Sequence, residues 1–396
     1  MKTSRLYMVW PFLFVAFLVG CSTDETLPET GNPSVPDKSG ASSSEVELVS
    51  ETNPIPNGYE QEAEQRGSIV RMDYDTRDYA EGSGASRTNT AYVYLPYGYD
   101  EQKRYNIMYL VHGHYGTAST YFETEDGMLR NLLDQMIAHG DIAPMIVVTP
   151  TYNYGQPTAN YTDADPYCRA LPQELVNDLI PVVESRYHTY AEATDAEGIE
   201  ASRAHRAIGG FSMGAVTTWY AFDETLDAFK WFMPVSGDCW SLGRFAGMNR
   251  PDETAAYLAD KVRQSAYAGT GFYIWAASGT SDSAYSETLL QIEGMARLPE
   301  VFNTDNMTFH EKKGHGTNTV RQWNTSTMRF RSFSRKMMND IIKKNRKDEQ
   351  FYLSISRPPA FWQRMCGERN QGRNETCGQE CATGIRRRIV ETHGIV

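Results

Sequence analysis

The stretch Arg206-Ala-Ile-Gly-Gly-Phe-Ser-Met-Gly214 decides the fold that this sequence predicts. Its residues up to Phe211 form a short, largely apolar run typical of a buried strand, and a helical pattern begins after Ser212. Between them lies Gly-x-Ser-x-Gly, whose glycines relieve crowding at a sharp strand-to-helix turn. Such a turn exposes the serine Oγ beside a helix N-terminus, which favours developing negative charge. Ser212 is therefore a candidate nucleophile, although a capping serine in an ordinary turn would give the same pentapeptide.

Strand and helix patterns alternate on both sides of this turn. Apolar or aromatic runs predict strands over 90–95, 106–111, 144–149, 206–211, 231–235, 272–277 and 307–311. Apolar residues at helical spacing predict helices over 126–139, 171–187 and about 321–344. The run from Met145 to Val148 is apolar throughout, as in strands buried on both faces of a parallel sheet. The pattern predicts an α/β fold with a mostly parallel central sheet and helices on both faces.

A second motif, His112-Gly113-His114-Tyr115-Gly116, follows the predicted strand 106–111. In folds with a nucleophile turn, a loop at this place supplies one backbone N–H of an oxyanion hole, and the residue after the serine supplies the other. The predicted donors are His114 and Met213. Alternatively, His112 and His114 could bind a metal, but no nearby carboxylate or cysteine completes such a site, so we expect none.

The general base and its acid have two candidates each. His315 lies in a predicted loop, Lys313-Gly314-His315-Gly316, just beyond a strand, where a side chain can reach the carboxyl edge of the sheet. His310 lies inside that strand, so we expect it to pack or to face solvent. Asp282 follows the strand 272–277 and precedes a helix, where it could also be an N-cap. Asp238 follows another strand, and chain order does not separate it from Asp282, since the order Ser, Asp, His of α/β-hydrolases fits both.

From about Arg87 to Lys344 the sequence resembles the esterase D type of α/β-hydrolase, and most closely the feruloyl esterases of carbohydrate esterase family 1. The landmarks are Tyr94-Leu95-Pro96 with Tyr99, Leu110-Val111-His112-Gly113, Glu174 with Leu179-Ile180-Pro181, Val183-Glu184, Gly210-Phe211-Ser212-Met213-Gly214, Ser236-Gly237-Asp238, Gly279-Thr280 with Asp282, and Gly314-His315. The resemblance implies an α/β-hydrolase fold. It also implies that the acid is the aspartate of Gly-Thr-x-Asp, which here is Asp282.

The resemblance further implies a serine esterase that acts on feruloyl esters of plant cell-wall polysaccharide without a cofactor. Tyr152 and Tyr154, which follow a strand, and Asp238 with Trp240 are candidate residues for binding a flat hydroxycinnamoyl group. Each of these aromatic residues could equally pack in the core. An acetylxylan esterase and a siderophore esterase of the same superfamily are alternatives. Outside enzymes, the alternative is a silent glycan-binding lipoprotein, which would have no need to keep serine, acid and histidine together.

The N-terminus predicts a lipid-anchored protein. Lys2 and Arg5 precede an apolar run from Tyr7 to Val19, which is shorter than the ~20 residues of a membrane span and suits a signal peptide. Leu18-Val19-Gly20-Cys21 resembles the bacterial lipobox, which implies acylation of Cys21. The acidic residues that follow resemble surface-export signals of Bacteroidetes lipoproteins. We expect an outer-membrane lipoprotein, on the periplasmic side or the cell surface.

Composition divides the chain into four parts and excludes some partners. We expect a signal peptide at 1–20, a flexible polar tether at 21–67, the esterase domain at 68–346 and a C-terminal segment of unassigned role at 347–396. Within the domain, 191–203 is predicted to be a polar surface loop. The chain of 396 residues carries a net charge of −12, which disfavours nucleic-acid binding. Pairing of Cys168 with Cys239 stays open, because a sequence does not report the distance between them.

Overall fold

The centre of the fold is one sheet of nine strands, counted over the residues that the structure, a computed structural model, describes: 48–49, 56–123, 128–156 and 158–316. The strands are β1 (Leu48–Val49), β2 (Ser68–Arg77), β3 (Ser86–Leu95), β4 (Asn106–Val111), β5 (Met145–Thr149), β6 (Arg206–Phe211), β7 (Trp231–Val235), β8 (Tyr273–Ser281) and β9 (Met307–Gly316). Their spatial order is β1-β9-β8-β7-β6-β4-β5-β3-β2. All neighbours from β1 to β5 in this order are parallel, and β3 and β2 add an antiparallel edge. The predicted mostly parallel sheet is confirmed.

Helices connect the parallel strands. They are α1 (Thr120–Glu123), α2 (Leu129–Ala138), α3 (Tyr161–Glu174), a π-helical segment (Leu175–Leu179), α4 (Ile180–Arg186), α5 (Ala196–Ala201), a 3₁₀ turn (Arg203–His205), α6 (Met213–Glu224), α7 (Ala246–Asn249), α8 (Pro251–Gln264) and α9 (Tyr285–Ala296). The helix predicted over 171–187 is therefore the second half of a longer helical stretch. The one predicted over 321–344 lies outside the described residues.

Helices cover both faces of the sheet, because the side chains of the central strands enter two separate apolar clusters. In β4, Met108 and Leu110 pack with Leu132 of α2 in one cluster. Their neighbours Ile107, Tyr109 and Val111 point the other way and join the cluster that contains residues of α3, α6, α8 and α9. This is the physical reason that the central strands are apolar at every position: each alternate side chain meets a helix layer.

Two predicted strands are too short. β8 extends to Ser281 and β9 to Gly316, with an irregularity in their pairing between Gly279 and Ser281. His315 therefore lies within the last residues of β9, not in a loop beyond it as we predicted. The prediction ended β9 early because polar residues and Gly314 follow Glu311, whereas the backbone pairing with β8 continues through them.

The predicted domain boundary at 67/68 is too late. Tyr59 is buried and donates its hydroxyl to Asp141 at 2.8 Å, and the backbone N–H of Gly67 donates to Asp134. Leu48 and Val49 form β1 at the edge of the sheet. These residues, assigned above to the tether, thus pack on the domain. The rest of the predicted tether, the signal peptide with Cys21 and the segment 347–396 lie outside the described residues.

The polar segment 191–203 is not only a loop, because it contains α5. It is held to the start of β6 by Arg206, whose guanidinium is buried and forms an ion pair with Glu184. The same guanidinium donates to the Ile199 carbonyl and to the Ser202 hydroxyl. Within the described ranges, no helix has both the length and the apolar character needed to cross a bilayer.

Candidate active site

The turn between β6 and α6 has the geometry that the Gly-x-Ser-x-Gly pattern predicts. Ser212 adopts φ 55° and ψ −117°, a conformation that non-glycine residues rarely take. A Cβ on Gly210 would lie 2.5 Å from the Val111 carbonyl oxygen, and one on Gly214 would also collide with that carbonyl. The glycines therefore let β4 and α6 approach closely around the serine. Ser212 is half-buried, and its backbone N–H donates a hydrogen bond to the Val235 carbonyl of β7 at 2.9 Å.

The loop after β4 lies directly against this turn. A Cβ on Gly113 would be 3.6 Å from the Ser212 Cβ, so the two backbones are in near van der Waals contact. The loop is a tight turn, closed by a hydrogen bond from the Gly116 N–H to the Gly113 carbonyl. The two predicted oxyanion donors are His114, which directly follows Gly113 in this turn, and Met213, which directly follows Ser212 as the first residue of α6.

Neighbouring side chains hold this loop in place. The Tyr152 hydroxyl donates to the Gly113 carbonyl at 3.1 Å, and the Asn153 amide donates to the Gly116 carbonyl at 3.1 Å. The His114 imidazole bonds the Thr158 hydroxyl through Nε2 at 3.0 Å. A rigid loop of this kind keeps backbone N–H groups in position before the substrate arrives.

His112 has a structural role. Its ring is buried, with Nδ1 2.7 Å from the Gly113 carbonyl oxygen and Nε2 2.7 Å from the Thr151 hydroxyl. Burial lowers the pKa of His112 to about 4, so the ring is neutral near pH 7. Among the described residues, no group of three or more His, Cys, Asp or Glu side chains is placed to hold a metal ion.

The predicted acid and base lie at the paired ends of neighbouring strands. Asp282 directly follows β8, and His315 directly precedes Gly316, which pairs with Ser281 of β8. The Asp282 carboxylate is 7% exposed and accepts the Ala284 N–H at 2.8 Å, which starts the turn into α9. The His315 Nδ1 is directed at the Lys313 carbonyl oxygen, 2.9 Å away. That nitrogen is the one that a catalytic triad presents to the acid, so the imidazole must turn to form the triad.

The competing histidine is part of the sheet. His310 lies in β9 opposite Ala277, is 9% exposed, and stacks on Trp275 with ring centroids 4.4 Å apart. Its Nε2 is 3.2 Å from the Thr308 hydroxyl. This agrees with the expectation that it packs.

Asp238, the competing acid, is fully buried and holds the loop after β7 together. Its Oδ1 accepts the indole N–H of Trp240 at 2.6 Å, and its Oδ2 accepts the Met248 N–H at 2.9 Å. Burial raises the pKa of Asp238 to about 6. Both oxygens are thus engaged in fixing its own loop.

The predicted substrate contacts are mostly covered by protein. Tyr152 and Trp240 are at most 2% exposed, and Asp238 is completely covered. In this conformation these side chains pack beneath the surface and are not available to a substrate. Tyr154 is half-buried, and the Arg87 guanidinium lies over its ring, 4.9 Å from the centroid of the Tyr154 ring.

Cys168 and Cys239 are both buried and free, and burial raises the pKa of Cys239 to about 12.

Several residues at this edge were missed by the sequence reasoning. Tyr161 and Phe245 surround the Trp240 ring, at centroid distances of 6.3 and 4.8 Å. Glu287 in the first turn of α9 lies close enough to Asp238 and Asp282 for their charges to act on it. Burial, followed by these two charges, raises the pKa of Glu287 to about 7. No local pattern marks Phe245 or Glu287, but Tyr161 follows the N-cap Asn160, which is a visible helix-start signal.

A parallel sheet with a strained serine turn at the carboxyl end of a central strand defines an α/β-hydrolase. Comparisons with known proteins give the family. The Esterase family model, described as "Putative esterase", matches residues 83–329. The chain therefore belongs to the Esterase family.

Two curated proteins are similar to parts of this chain. It is 39% identical over 275 residues to endo-1,4-beta-xylanase Y of Acetivibrio thermocellus, a match that covers 69% of this chain and 23% of that protein. It is 31% identical over 142 residues to an endo-1,4-beta-xylanase/feruloyl esterase of Xylanibacter ruminicola, covering 33% of this chain and 17% of that protein. The chain thus spans about a quarter or less of the curated relatives that it matches.

Solved structures are similar over the whole domain. A serine-to-alanine mutant of the feruloyl esterase module from Clostridium thermocellum, complexed with sinapinate, is 37% identical with a TM-score of 0.62, covering 72% of this chain and 95% of that one. A ferulic acid esterase from the anaerobic fungus Anaeromyces mucronatus is 20% identical with a TM-score of 0.52, covering 72% and 96%. The second likeness supports the fold alone. Together they confirm the α/β-hydrolase fold expected from the sequence.

Proposed function

We propose that this protein is a serine esterase that hydrolyses feruloyl and related hydroxycinnamoyl esters on plant cell-wall polysaccharide such as arabinoxylan. The observation that carries the proposal is the strained Ser212 turn within a domain 37% identical to a feruloyl esterase module over 95% of that module. The curated relatives, whose names include xylanase, support a xylan substrate.

In the proposed acylation step, the His315 imidazole accepts the hydroxyl proton of Ser212 while its Oγ attacks the ester carbonyl. The negative charge on the former carbonyl oxygen is held by the backbone N–H groups of Met213 and His114. Asp282 accepts the Nδ1–H of His315 and stabilises the imidazolium. When the tetrahedral intermediate collapses, the C–O bond to the sugar breaks, and His315 gives its proton to the leaving sugar oxygen.

Deacylation uses the same groups in reverse. His315 removes a proton from a water molecule that attacks the acyl-serine carbonyl, and then returns a proton to Ser212 as the free acid leaves. Every proton in this cycle is moved by a residue of this chain. The two alternative substrates, an acetylated xylan and a siderophore ester, would use identical steps, because the machinery acts on the ester carbonyl and the surroundings select the acyl group.

The test measures acid release from a panel of esters by the purified protein. We expect ferulate release from feruloylated arabinoxylan and from methyl ferulate, with less acetate released from acetylated xylan. The variant Ser212→Ala should lose on the order of 10⁶ in turnover, as removal of a triad nucleophile does, while keeping its fold. Preferential acetate release would replace the proposal by an acetylxylan esterase. Retained turnover in folded Ser212→Ala would contradict the assignment of the nucleophile.

We place the enzyme on a membrane surface as part of the same proposal. The lipobox around Cys21 and the polar segment behind it support acylation and a tether that lets the domain reach a polysaccharide. The lipid supplies the anchor, on the periplasmic side of the outer membrane or on the cell surface.

A further inference from the structure

Five large apolar or aromatic side chains are exposed in the described part of the chain: Tyr97, Tyr115, Tyr161, Val182 and Leu290. Tyr115 is the most exposed of them, at 76%, and it belongs to the tight turn next to Ser212. Val182 and Leu290 lie on the outer faces of α4 and α9. Tyr97 follows β3, which runs antiparallel to β5, so it lies at the opposite edge of the sheet. Tyr115 is therefore singled out by both position and exposure.

The turn that carries Tyr115 is held from several sides. The carbonyls of Gly113 and Gly116 are both bonded by side chains of the loop after β5, as described above. A Cβ on Gly116 would lie 2.8 Å from the His112 ring, so the turn packs tightly on that buried histidine. Tyr115 is two residues from Gly113, so their Cα atoms lie within about 8 Å of each other by chain length alone. Gly113 is itself in near contact with Ser212. A large side chain is thus presented from a fixed backbone beside the nucleophile.

Among the described residues, the Tyr115 ring has one aromatic neighbour, and most of its surface is exposed. Its centroid is 4.3 Å from that of His114, whose imidazole is itself bonded to Thr158. Among the described residues its hydroxyl has no hydrogen-bond partner. Tyr161, the other exposed tyrosine at this edge, instead makes edge-to-face contacts with Trp240 and Phe245. An exposed, oriented ring with a free hydroxyl has no evident structural use.

We propose that Tyr115 is a platform for a sugar ring on the alcohol side of the scissile ester. A flat hydroxycinnamoyl group gains most from a closed apolar slot, whereas a sugar keeps most of its hydroxyls in water and needs only one ring face covered. Tyrosine suits this, since its ring packs against the apolar C–H face and its hydroxyl bonds a sugar hydroxyl. The leaving oxygen must lie beside Ser212, so the sugar attached to it lies within reach of this turn. The inference rests on the proposed function only in taking the alcohol to be a sugar.

The test compares an ester that carries the sugar with one that does not. For each variant we take the ratio of kcat/KM on a feruloylated arabinoxylo-oligosaccharide to kcat/KM on methyl ferulate. In Tyr115→Ala this ratio should fall at least about threefold, the size of one lost aromatic contact. In Tyr115→Trp, which keeps a ring, it should stay within twofold of the wild type. Tyr97→Ala removes an equally large exposed tyrosine at the opposite edge and should leave the ratio unchanged.

The outcomes separate this inference from the proposed function. An unchanged ratio in Tyr115→Ala would overturn the platform. It would also be overturned if the ratio fell as far in Tyr97→Ala or in Tyr115→Trp as it does in Tyr115→Ala. If the wild-type protein cleaves neither feruloyl ester, the proposed function fails. The same ratio is then measured with an acetylated xylo-oligosaccharide and methyl acetate, and it decides the platform by the same criteria.

Discussion

Ser212 combines a positive φ with half-burial at the end of a fully buried strand. Such a backbone conformation costs on the order of 1–3 kcal/mol and persists only where the surroundings enforce it. Here the enforcement comes from the carbonyl of Val111, which leaves no room for a Cβ at Gly210 or Gly214, and from the hydrogen bond to Val235. The strain keeps the Oγ at the carboxyl edge of the sheet, where β8 and β9 end beside Asp282 and at His315.

The two histidines of β9 give a matched pair of variants. His315→Ala removes the proposed base, so its turnover should fall to the level of Ser212→Ala, about 10⁶ below the wild type. His310→Ala removes a ring stacked on Trp275, so it should lower the melting temperature while turnover stays within a few fold. Steady-state kinetics and thermal unfolding of both variants check this. Normal turnover in His315→Ala would move the base elsewhere.

The two aspartates can be separated in the same way. Asp282→Asn should lose about 10⁴ in turnover, because an amide favours the wrong imidazole tautomer. Asp238→Asn places an amide beside either the Trp240 or the Met248 N–H, so it should loosen that loop and raise KM more than it lowers kcat. Separate values of kcat and KM for a hydroxycinnamoyl ester decide between them. A larger loss of kcat in Asp238→Asn would reverse the assignment of the acid.

Helix α9 organises the loop that follows β7. Its Thr288 hydroxyl accepts the Gly237 N–H at 3.0 Å, and its Gln291 side chain accepts the Cys239 N–H. The turn into the helix begins at Asp282, so one helix fixes both Asp282 and the loop that carries Asp238. Glu287 lies on the same helix beside these two carboxylates. The fold thus exposes Glu287 to repulsion from the charges of both aspartates.

The burial of Glu287, together with that repulsion, predicts a pH-dependent gain in stability for Glu287→Gln. The folded-state pKa of about 7 is above the usual value of 4.5, so the wild-type protein loses stability as pH rises from about 4.5 to 7 and keeps that loss above pH 7. The variant should therefore melt at the same temperature as the wild type at pH 4.5 and roughly 2–4 °C higher at pH 8. Glu293→Gln changes an exposed glutamate of the same helix and serves as the control. An equal gain at both pH values would show that the charge of Glu287 is not the cause.

At the scale of the whole molecule, the domain begins earlier in the chain than its composition suggests. Residues 56–67 are bonded to α2 and the loop after it through Tyr59 and Gly67, and β1 extends the sheet at the opposite edge from β2. Any tether to a lipid on Cys21 therefore ends before β1, which shortens the reach that the predicted boundary at 67 allowed.

Anchoring is tested by Cys21→Ser. Because the proposed anchor is an acyl chain on this thiol, the variant should leave the membrane fraction or fail to lose the predicted signal peptide, while the domain keeps its esterase activity. Fractionation of cells that express each form, with ester hydrolysis as the marker, measures this. Cys239→Ser, a change at a buried cysteine far along the chain, should stay with the membrane. Equal membrane association of Cys21→Ser and the wild type would exclude Cys21 as the anchor.

The amino-acid sequence alone determined the parallel sheet and the nucleophile turn. Both depend on local patterns: apolar runs bounded by turn residues, and glycines at two positions where no Cβ fits. The chain order of Ser212, Asp282 and His315 likewise follows from placing each residue after a strand, because the carboxyl ends of parallel strands meet at one edge. For the same reason the loop of His112 to Gly116 could be placed beside Ser212 without coordinates.

Only the tertiary structure decided which side chains are available to a substrate. Tyr152, Asp238 and Trp240 follow strands as binding residues do, yet all three are covered, because other elements pack on them or bond them: Tyr161 of α3 contacts Trp240, and Met248 of α7 bonds Asp238. Tyr115 belongs to the predicted oxyanion loop, which was interpreted only for its backbone N–H groups. Its exposure depends on the position of that loop, which is fixed by hydrogen bonds from Tyr152 and Asn153. The extension of β9 through His315 likewise depends on pairing with β8. Burial and strand pairing are set by contacts between distant segments, and local sequence patterns carry little information about them.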